Sequence, residues 1–379
     1  MRRKSSRGFF LIMLAFCLVL FSCNSKTPQN GFNKRLRGQV NIIVEKEKEY
    51  YIKTFAKEFT GVFPSVSFNI KVEEDFYDNT EEILNARGEN RNDIIIMDTK
   101  YSPYIVKEYS DELWDISSIL EPYKDSYYKE DIKKFALDQG IYGLPLDKKP
   151  YFMIYRKDIF EKGKIKSENI RTWQEFISKC KELNKSLNKD YKFMWEEKDN
   201  DIYHVMLSQV AGSNNYFSEN SSLSSDKIKK VTLTKELLKK ENMISREDLI
   251  EGIKKERVIA TMVSMELLHE IMNSLPEMKG KWTLTKVPAF EIGGNREVLL
   301  EGHSIFISRD SSNKDAVLTF LEYIIANEKI QQQLLLGKGI FSSNVNSLKW
   351  SDLNKKVEYY NNAKLWILAA NAEKLLMGK

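Results

Sequence analysis

The chain has 379 residues, 42% of them hydrophobic and 30% charged, with a formal net charge of +5 and three cysteines. A single hydrophobic core rarely serves more than about 250–300 residues, so this length implies two lobes. Four of the 59 basic residues, Arg2, Arg3, Lys4 and Arg7, stand in the first seven positions; the remaining 55 face 54 acidic ones, which removes any compositional case for nucleic acid.

Those four basic residues precede an uncharged run from Phe9 to Phe21. Thirteen apolar residues are too few to span a bilayer comfortably but suit the hydrophobic region of a signal peptide. The run ends at Leu20-Phe21-Ser22-Cys23, which resembles a bacterial lipobox, although Phe21 stands where a small residue is usual. The resemblance implies a signal peptide over 1–22 and an acylated Cys23; a plain secretory signal or an uncleaved anchor are the alternatives. One acyl chain binds membranes only marginally, so stable anchoring requires more than one. With Cys17 in the apolar run and Cys23 carrying lipid, Cys180 alone remains, and no intramolecular disulfide is expected. Residues 23–38 are polar, with Pro28 and Gly31, and read as a flexible tether.

Beyond the tether, Val40 to Val44 is a β-rich run, and Tyr51, Phe55 and Phe59 follow at helical spacing. Val66 to Val72 alternates like a strand, Glu81 to Arg87 reads as helix, and Asp93 to Met97 (DIIIM) reads as a buried parallel strand. Strand, helix, strand, helix, strand predicts a doubly wound α/β sheet.

Residues Ile141 to Phe176 carry the most informative order in the chain. A short run ends in Gly143-Leu144-Pro145, where the proline marks a strand edge or exit. Tyr151 to Tyr155 is uncharged and meets Arg156-Lys157-Asp158 and Phe160; later Thr172 precedes Trp173, with Glu175 placed to close a capping box. This order resembles extracellular solute-binding proteins of the sugar-type ABC importers, similar to maltose-binding protein. They show Y-G-x-P, a strand ending in Tyr-Asn-Lys, an aromatic, a glycine, then Thr-Trp-x-Glu-Phe. The resemblance spans roughly 40–345 and is firm at 93–98, 141–176 and 302–321. It implies a two-lobed periplasmic-binding-protein-like fold of class II, each lobe a doubly wound sheet flanked by helices, with a cleft between.

In the second lobe Trp173, Phe176, Ile177, Cys180 and Leu183 form an apolar helical stripe, which makes Cys180 a core residue. Gly212 to Asp226 is a polar loop; Val258 to Val263 is a strand, Glu266 to Leu275 a helix, and Trp282 to Pro288 a further strand. Gly302 to Ile307 then reads as a strand returning to the first lobe, followed by a helix from Asn313 to Ile325 and terminal helices within Leu348 to Leu376. The expected division is 39–148 with 301–343 for one lobe and 149–300 with 344–379 for the other, hinged near 146–150 and 298–303.

Catalytic signatures are absent from the sequence: it holds no Walker-type phosphate loop, no G-x-G-x-x-G and no G-x-S-x-G elbow. Gly337-Lys338-Gly339 follows a helix and resembles a phosphate loop only superficially. His204, His269 and His303 lack zinc spacing, so neither a metal nor a cofactor nor an enzyme is expected. Carboxylate pairs such as Glu73-Glu74 and Glu196-Glu197 read as solvated surface.

The resemblance assigns the cleft to loops after strands: Glu45 and Lys46, then Asp98, Lys100 and Tyr101, then Asp147, Lys148 and Lys149. Trp195, Glu196, Met265 and His303 complete the expected ligand-facing set. Relatives commonly place Gly-x-Trp after the strand matching Val258 to Val263, whereas this chain has Ser264-Met265-Glu266-Leu267, and Arg156 replaces their asparagine. Lys46, Lys100, Lys148 and Lys149 suggest an acidic sugar or another anion as ligand. The expected role is a monomeric, lipid-anchored, extracytoplasmic component of an ABC importer. It would capture a small solute, most readily a carbohydrate, and pass it to permease subunits. A surface lipoprotein of the same fold acting as sensor or adhesin is the second reading, and an extracytoplasmic carbohydrate-active enzyme the third.

Overall fold

The computed structural model describes residues 36–379 except 75, 77, 89–90, 197–200, 212–222, 241–242 and 378–379. The signal segment, Cys23, nearly all of the tether, and most of the polar loop 212–226 therefore lie outside the described residues. Gly38–Glu45 (β1) pairs in parallel with Val66–Glu73 (β2) on one side and Ile94–Asp98 (β3) on the other. Glu49–Val62 (α1) and Thr80–Asn85 (α2) make the crossovers. Helix α1 buries Tyr51, Ile52, Phe55, Ala56 and Phe59, the stripe its sequence announces. Strand β3 has four successive buried residues, Ile94 to Met97, as a strand covered on both faces requires.

Two strands from later in the chain complete this sheet. Gly143–Pro145 (β4) forms its edge, where the missing N–H of Pro145 is tolerated. Next to it His303–Ile307 runs antiparallel to both β3 and β4. The order is β2, β1, β3, the His303–Ile307 strand, then β4.

The second sheet is mixed and organised around one long strand, Asp147–Arg156 (β5). Lys192–Phe193 (β6) lies at its far edge, parallel to Val258–Ser264 (β7). Strand β7, Trp282–Thr285 (β8) and Val298–Glu301 (β9) all pair antiparallel to β5, so the returning strand His303–Ile307 is β10. Phe341–Ser342 (β11) also joins the start of β5. Alternation along β5 separates two cores. Tyr151, Met153 and Tyr155 pack with Trp173, Phe176 and Cys180, whereas Phe152 and Ile154 pack with Leu268, Ile271 and Trp366.

Helix Trp173–Leu187 (α3) covers the first of these cores, and its start is fixed by the expected capping box. The Glu175 backbone N donates to Thr172 Oγ1 at 3.2 Å, and Thr172 N donates to Glu175 Oε2 at 3.0 Å. Cys180 is fully buried, and burial pushes its thiol pKa up, as befits a packing residue. Arg156, in place of the relatives' asparagine, is buried at the end of β5 with two hydrogen bonds to Asp158, at 2.9 and 2.7 Å. Gly339 ends helix Glu328–Lys338 with φ 74°, a left-handed C-cap instead of a phosphate loop. Of the predicted helical stretch 348–376, Leu365–Met377 is α-helix; before it run short 3-10 turns, with Asn361 and Asn362 at positive φ.

The chain crosses between the sheets at Leu146, from β4 into β5, and returns at Gly302, from β9 into β10. The crossings lie side by side: Leu146 N donates to His303 O at 2.8 Å and Gly302 N to Asp147 O at 3.1 Å. A Cβ on Gly302 would sit 2.6 Å from Asp147 Cγ, so the contact requires glycine. Gly302→Ala should destabilise the protein by about 1–3 kcal/mol, the usual cost of overpacking, read as a lower urea midpoint. An unchanged midpoint would show that the crossings are less tightly apposed.

Candidate functional site

A cleft of about 600 Å³ opens between the two sheets beside these crossings. From the first sheet it is lined by residues at and just after the ends of β1 (Glu45, Lys46, Glu47), β2 (Glu73, Glu74, Phe76) and β3 (Asp98, Lys100). The second contributes Lys149 and Tyr151 of β5, Trp195, Asp201 and His204, the Arg246–Glu247 pair, and Ser264, Glu266, Leu267 and Glu270 around helix Met265–Ser274. Leu300, Glu301 and His303 complete the wall along the return crossing. The volume falls within the roughly 300–1,000 Å³ typical of small-molecule sites.

Seven of the twelve expected residues line the cleft: Glu45, Lys46, Asp98, Lys100, Lys149, Trp195 and His303. The other five, Lys148 among them, differ. Met265 is fully buried because it opens a helix and packs into the core, leaving Glu266 and Leu267 to face the cleft. Asp147 is 1% exposed and turned into the hinge. Tyr101 is half-buried outside the lining, with Lys100 Nζ 5.0 Å from its ring centre. Glu196 continues a short strand after Trp195, and its side chain lies outside the described residues.

Lys148 also leaves the cleft. It alternates with Lys149 along β5 and is buried between Asp131, at 2.5 Å, and Glu373, at 2.9 Å. The lysines that do line the cleft sit among carboxylates. Lys46 Nζ lies 2.9 Å from Glu74, and Lys100 Nζ 3.2 Å from Asp98. Burial alone would lower the pKa of Lys149, but Asp201, Asp98, Glu266 and Asp147 outweigh it and hold the ammonium well above its ordinary value. Among the described residues carboxylates outnumber lysine and arginine in the lining by ten to four. This excess of carboxylates runs against the sequence expectation of an anion-seeking cleft, since Lys46 and Lys100 are already in ion pairs.

Beneath the cleft a buried ionic knot joins the crossings. Lys48, wholly buried, reaches Asp147 at 2.7 Å and Glu266 at 2.6 Å. Burial opposes the charge on Lys48, yet the two carboxylates keep its pKa raised; Asp147, likewise desolvated, is held well below the usual carboxylate range by Lys48 and His303. His303 lies between the acids, with Nε2 3.1 Å from Glu45 and its backbone N donating to Asp147 Oδ1 at 2.8 Å. Its burial would depress the imidazole pKa, but hydrogen bonds to Asp147 and Glu45 raise it. Glu45, Glu47 and His303 have donor atoms within 4.8 Å of one another, close enough to hold a cation. Sequence spacing hid this group because His303 stands more than 250 positions from the two glutamates.

Glu73 and Glu74, read from the sequence as solvated surface, stand at the end of β2, and the pairing of Glu73 with Glu45 brings them to the cleft. Asp201 holds the Tyr151 hydroxyl, and Trp195 is fixed by its Nε1 donating to Met262 O at 2.7 Å. His269, by contrast, is structural: its ring nitrogens bond the carbonyls of Met265 and Leu336 at 3.0 and 3.1 Å.

Two sheets, paired crossings and a cleft between them define a two-lobed solute-binding protein. The bacterial extracellular solute-binding protein family matches residues 43–331, and the chain belongs to that family. The arabinooligosaccharide-binding protein of Bacillus subtilis (strain 168) is 21% identical over 95% of this chain and 86% of its own length. The lactose-binding protein of Rhizobium radiobacter is 22% identical over 83% and 76%. In fold, the ABC transporter associated binding protein of B. animalis subsp. lactis Bl-04, solved with beta-1,6-galactobiose, is similar at a TM-score of 0.70. It is 19% identical, covering 89% of this chain and 86% of that one. Maltose-bound T. maritima MalE3 gives 0.70 at 16% identity, covering 88% and 87%.

Lys48→Met should cost about 3–5 kcal/mol, because it strands the buried Asp147 charge. Denaturation in urea at pH 7 checks this, and a loss below about 1 kcal/mol would place Asp147 in a wetter site than described.

Proposed function

We propose that this protein is the lipid-anchored substrate-binding component of an ABC importer, capturing an extracytoplasmic saccharide in the interlobe cleft and handing it to permease subunits. The observation that carries the reading is the cleft itself, lined from both sheets at the two crossings, in a member of a solute-binding family. The named relatives bind oligosaccharides or lactose, and their names support a carbohydrate here. On this reading the bodies that move are 39–148 with 301–343 and 149–300 with 344–379. Glu45, Lys46, Asp98, Lys100, Lys149, Trp195 and His303 then form the ligand-facing wall, joined by Asp201 and Glu266.

Binding drives closure only if the solute touches both lobes. Moving a hinge equilibrium from 1:99 to 99:1 needs about 5.5 kcal/mol of differential affinity. Carboxylates suit a saccharide because they accept hydrogen bonds from hydroxyls without needing a partner proton of their own. The reading includes no catalytic step.

A library of di- and oligosaccharides should contain at least one compound that raises the melting temperature. At 100-fold excess over Kd the gain amounts to about 2.7 kcal/mol. Asp98→Ala combined with Asp201→Ala should abolish that response while leaving the unliganded protein folded. A library without any stabilising saccharide would refute the carbohydrate reading. Anchoring is checked separately: radiolabelled palmitate should enter the wild type and not Cys23→Ser, and equal labelling of both would refute lipidation at that residue.

A further inference from the structure

We infer that the solute is positively charged, a saccharide bearing one or more ammonium groups; this rests on the reading of the cleft as a saccharide site. Three of the four lining cations among the described residues sit in an ion pair: Lys46 with Glu74, Lys100 with Asp98, and Arg246 at 2.5 Å from Glu270. Lys149 has no ion pair among the described residues but lies in the field of Asp201, Asp98 and Glu266. Cations from behind the wall add partly to the balance: Lys48 reaches Glu266, Lys71 reaches Glu73, and Lys134 reaches Glu301. Carboxylates remain in excess after these pairings, even with His303 counted as charged. Glu47 after β1 and Glu247 beside Arg246 are exposed, line the cleft from opposite sheets, and have no ion pair among the described residues.

An anionic sugar entering this space would find only Lys149 outside an ion pair and would face the ten carboxylates of the described lining. A neutral sugar would be tolerated but would leave the field unused. An ammonium gains charge-assisted hydrogen bonds and is drawn in by a cleft that concentrates one sign of charge between low-dielectric walls. Among the described residues stacking offers little competition, since the lining aromatics Phe76, Tyr151 and Trp195 are 1%, 2% and 2% exposed. Discrimination therefore falls to charge.

The test is isothermal titration of the full mature protein at pH 6, where sugar amines are largely protonated and carboxylates ionised. The probes are the glucosamine trisaccharide, its N-acetylated counterpart, maltotriose and trigalacturonate. The glucosamine trisaccharide should bind at least about tenfold tighter than the N-acetylated one, the size of one charged hydrogen bond. Its affinity should fall as sodium chloride rises from 20 to 300 mM. Glu47→Gln and Glu247→Gln should each weaken the amine ligand several-fold while leaving the N-acetylated one unchanged. Binding of maltotriose or trigalacturonate as tight as the amine ligand would overturn the charge inference and leave the saccharide reading intact. Binding of none of the four, together with silence of the broader saccharide library, would overturn both.

Discussion

The arrangement depends on one buried charge. Asp147 stands where the chain first crosses between sheets, and three groups converge on it: the Lys48 ammonium, the His303 backbone N–H, and, at its carbonyl, the Gly302 N–H. A desolvated carboxylate is costly unless paired and hydrogen-bonded, so each partner is held in place by the others. The knot ties the end of β1, the outward crossing and the return crossing together at a point. Lys48 then extends it to Glu266 at the head of the Met265–Ser274 helix on the other sheet. The floor of the cleft is therefore an ionic junction, while its walls hang on separate cores.

That junction explains why the cleft is polar. Residues following β1, β3 and β9 have backbone positions fixed by the knot, so their side chains can point upward without support from an apolar core. Glu45 bridges the levels, accepting from Asp98 N at 3.2 Å and contacting His303 at 3.1 Å. Asp98 and Lys149, proposed above as solute contacts, are thus one or two side chains from the hinge. A ligand that pulls on this layer acts directly on the crossings, the geometry hinge closure uses.

Features set by local chemistry were legible in the sequence. The DIIIM strand, the Thr172–Glu175 capping box, the apolar stripe through Cys180 and the edge-marking Pro145 each depend on neighbours within a few positions. Five cleft residues, Glu45, Lys46, Asp98, Lys100 and Lys149, were reachable because the ends of β1 and β3 and the start of β5 follow the family's order. The errors have definite physical sources. Lys148 and Lys149 look alike in sequence, but strand alternation sends one to Asp131 and Glu373 and the other to the cleft. Met265, the first residue of its helix, packs inward, and Glu266 takes the position facing the cleft. Glu73 and Glu74 read as surface because their contribution requires knowing that β2 ends beside β1. Lys48 and Glu266 are 218 positions apart, a pairing that no local pattern announces.

Small-angle scattering with and without a stabilising saccharide tests the central claim most directly, that solute is gripped between two lobes hinged at Leu146 and Gly302. Saturating ligand should reduce the radius of gyration, and Asp98→Ala with Asp201→Ala should abolish the change. A radius unaltered at full occupancy, or binding that survives loss of both carboxylates, would contradict the account.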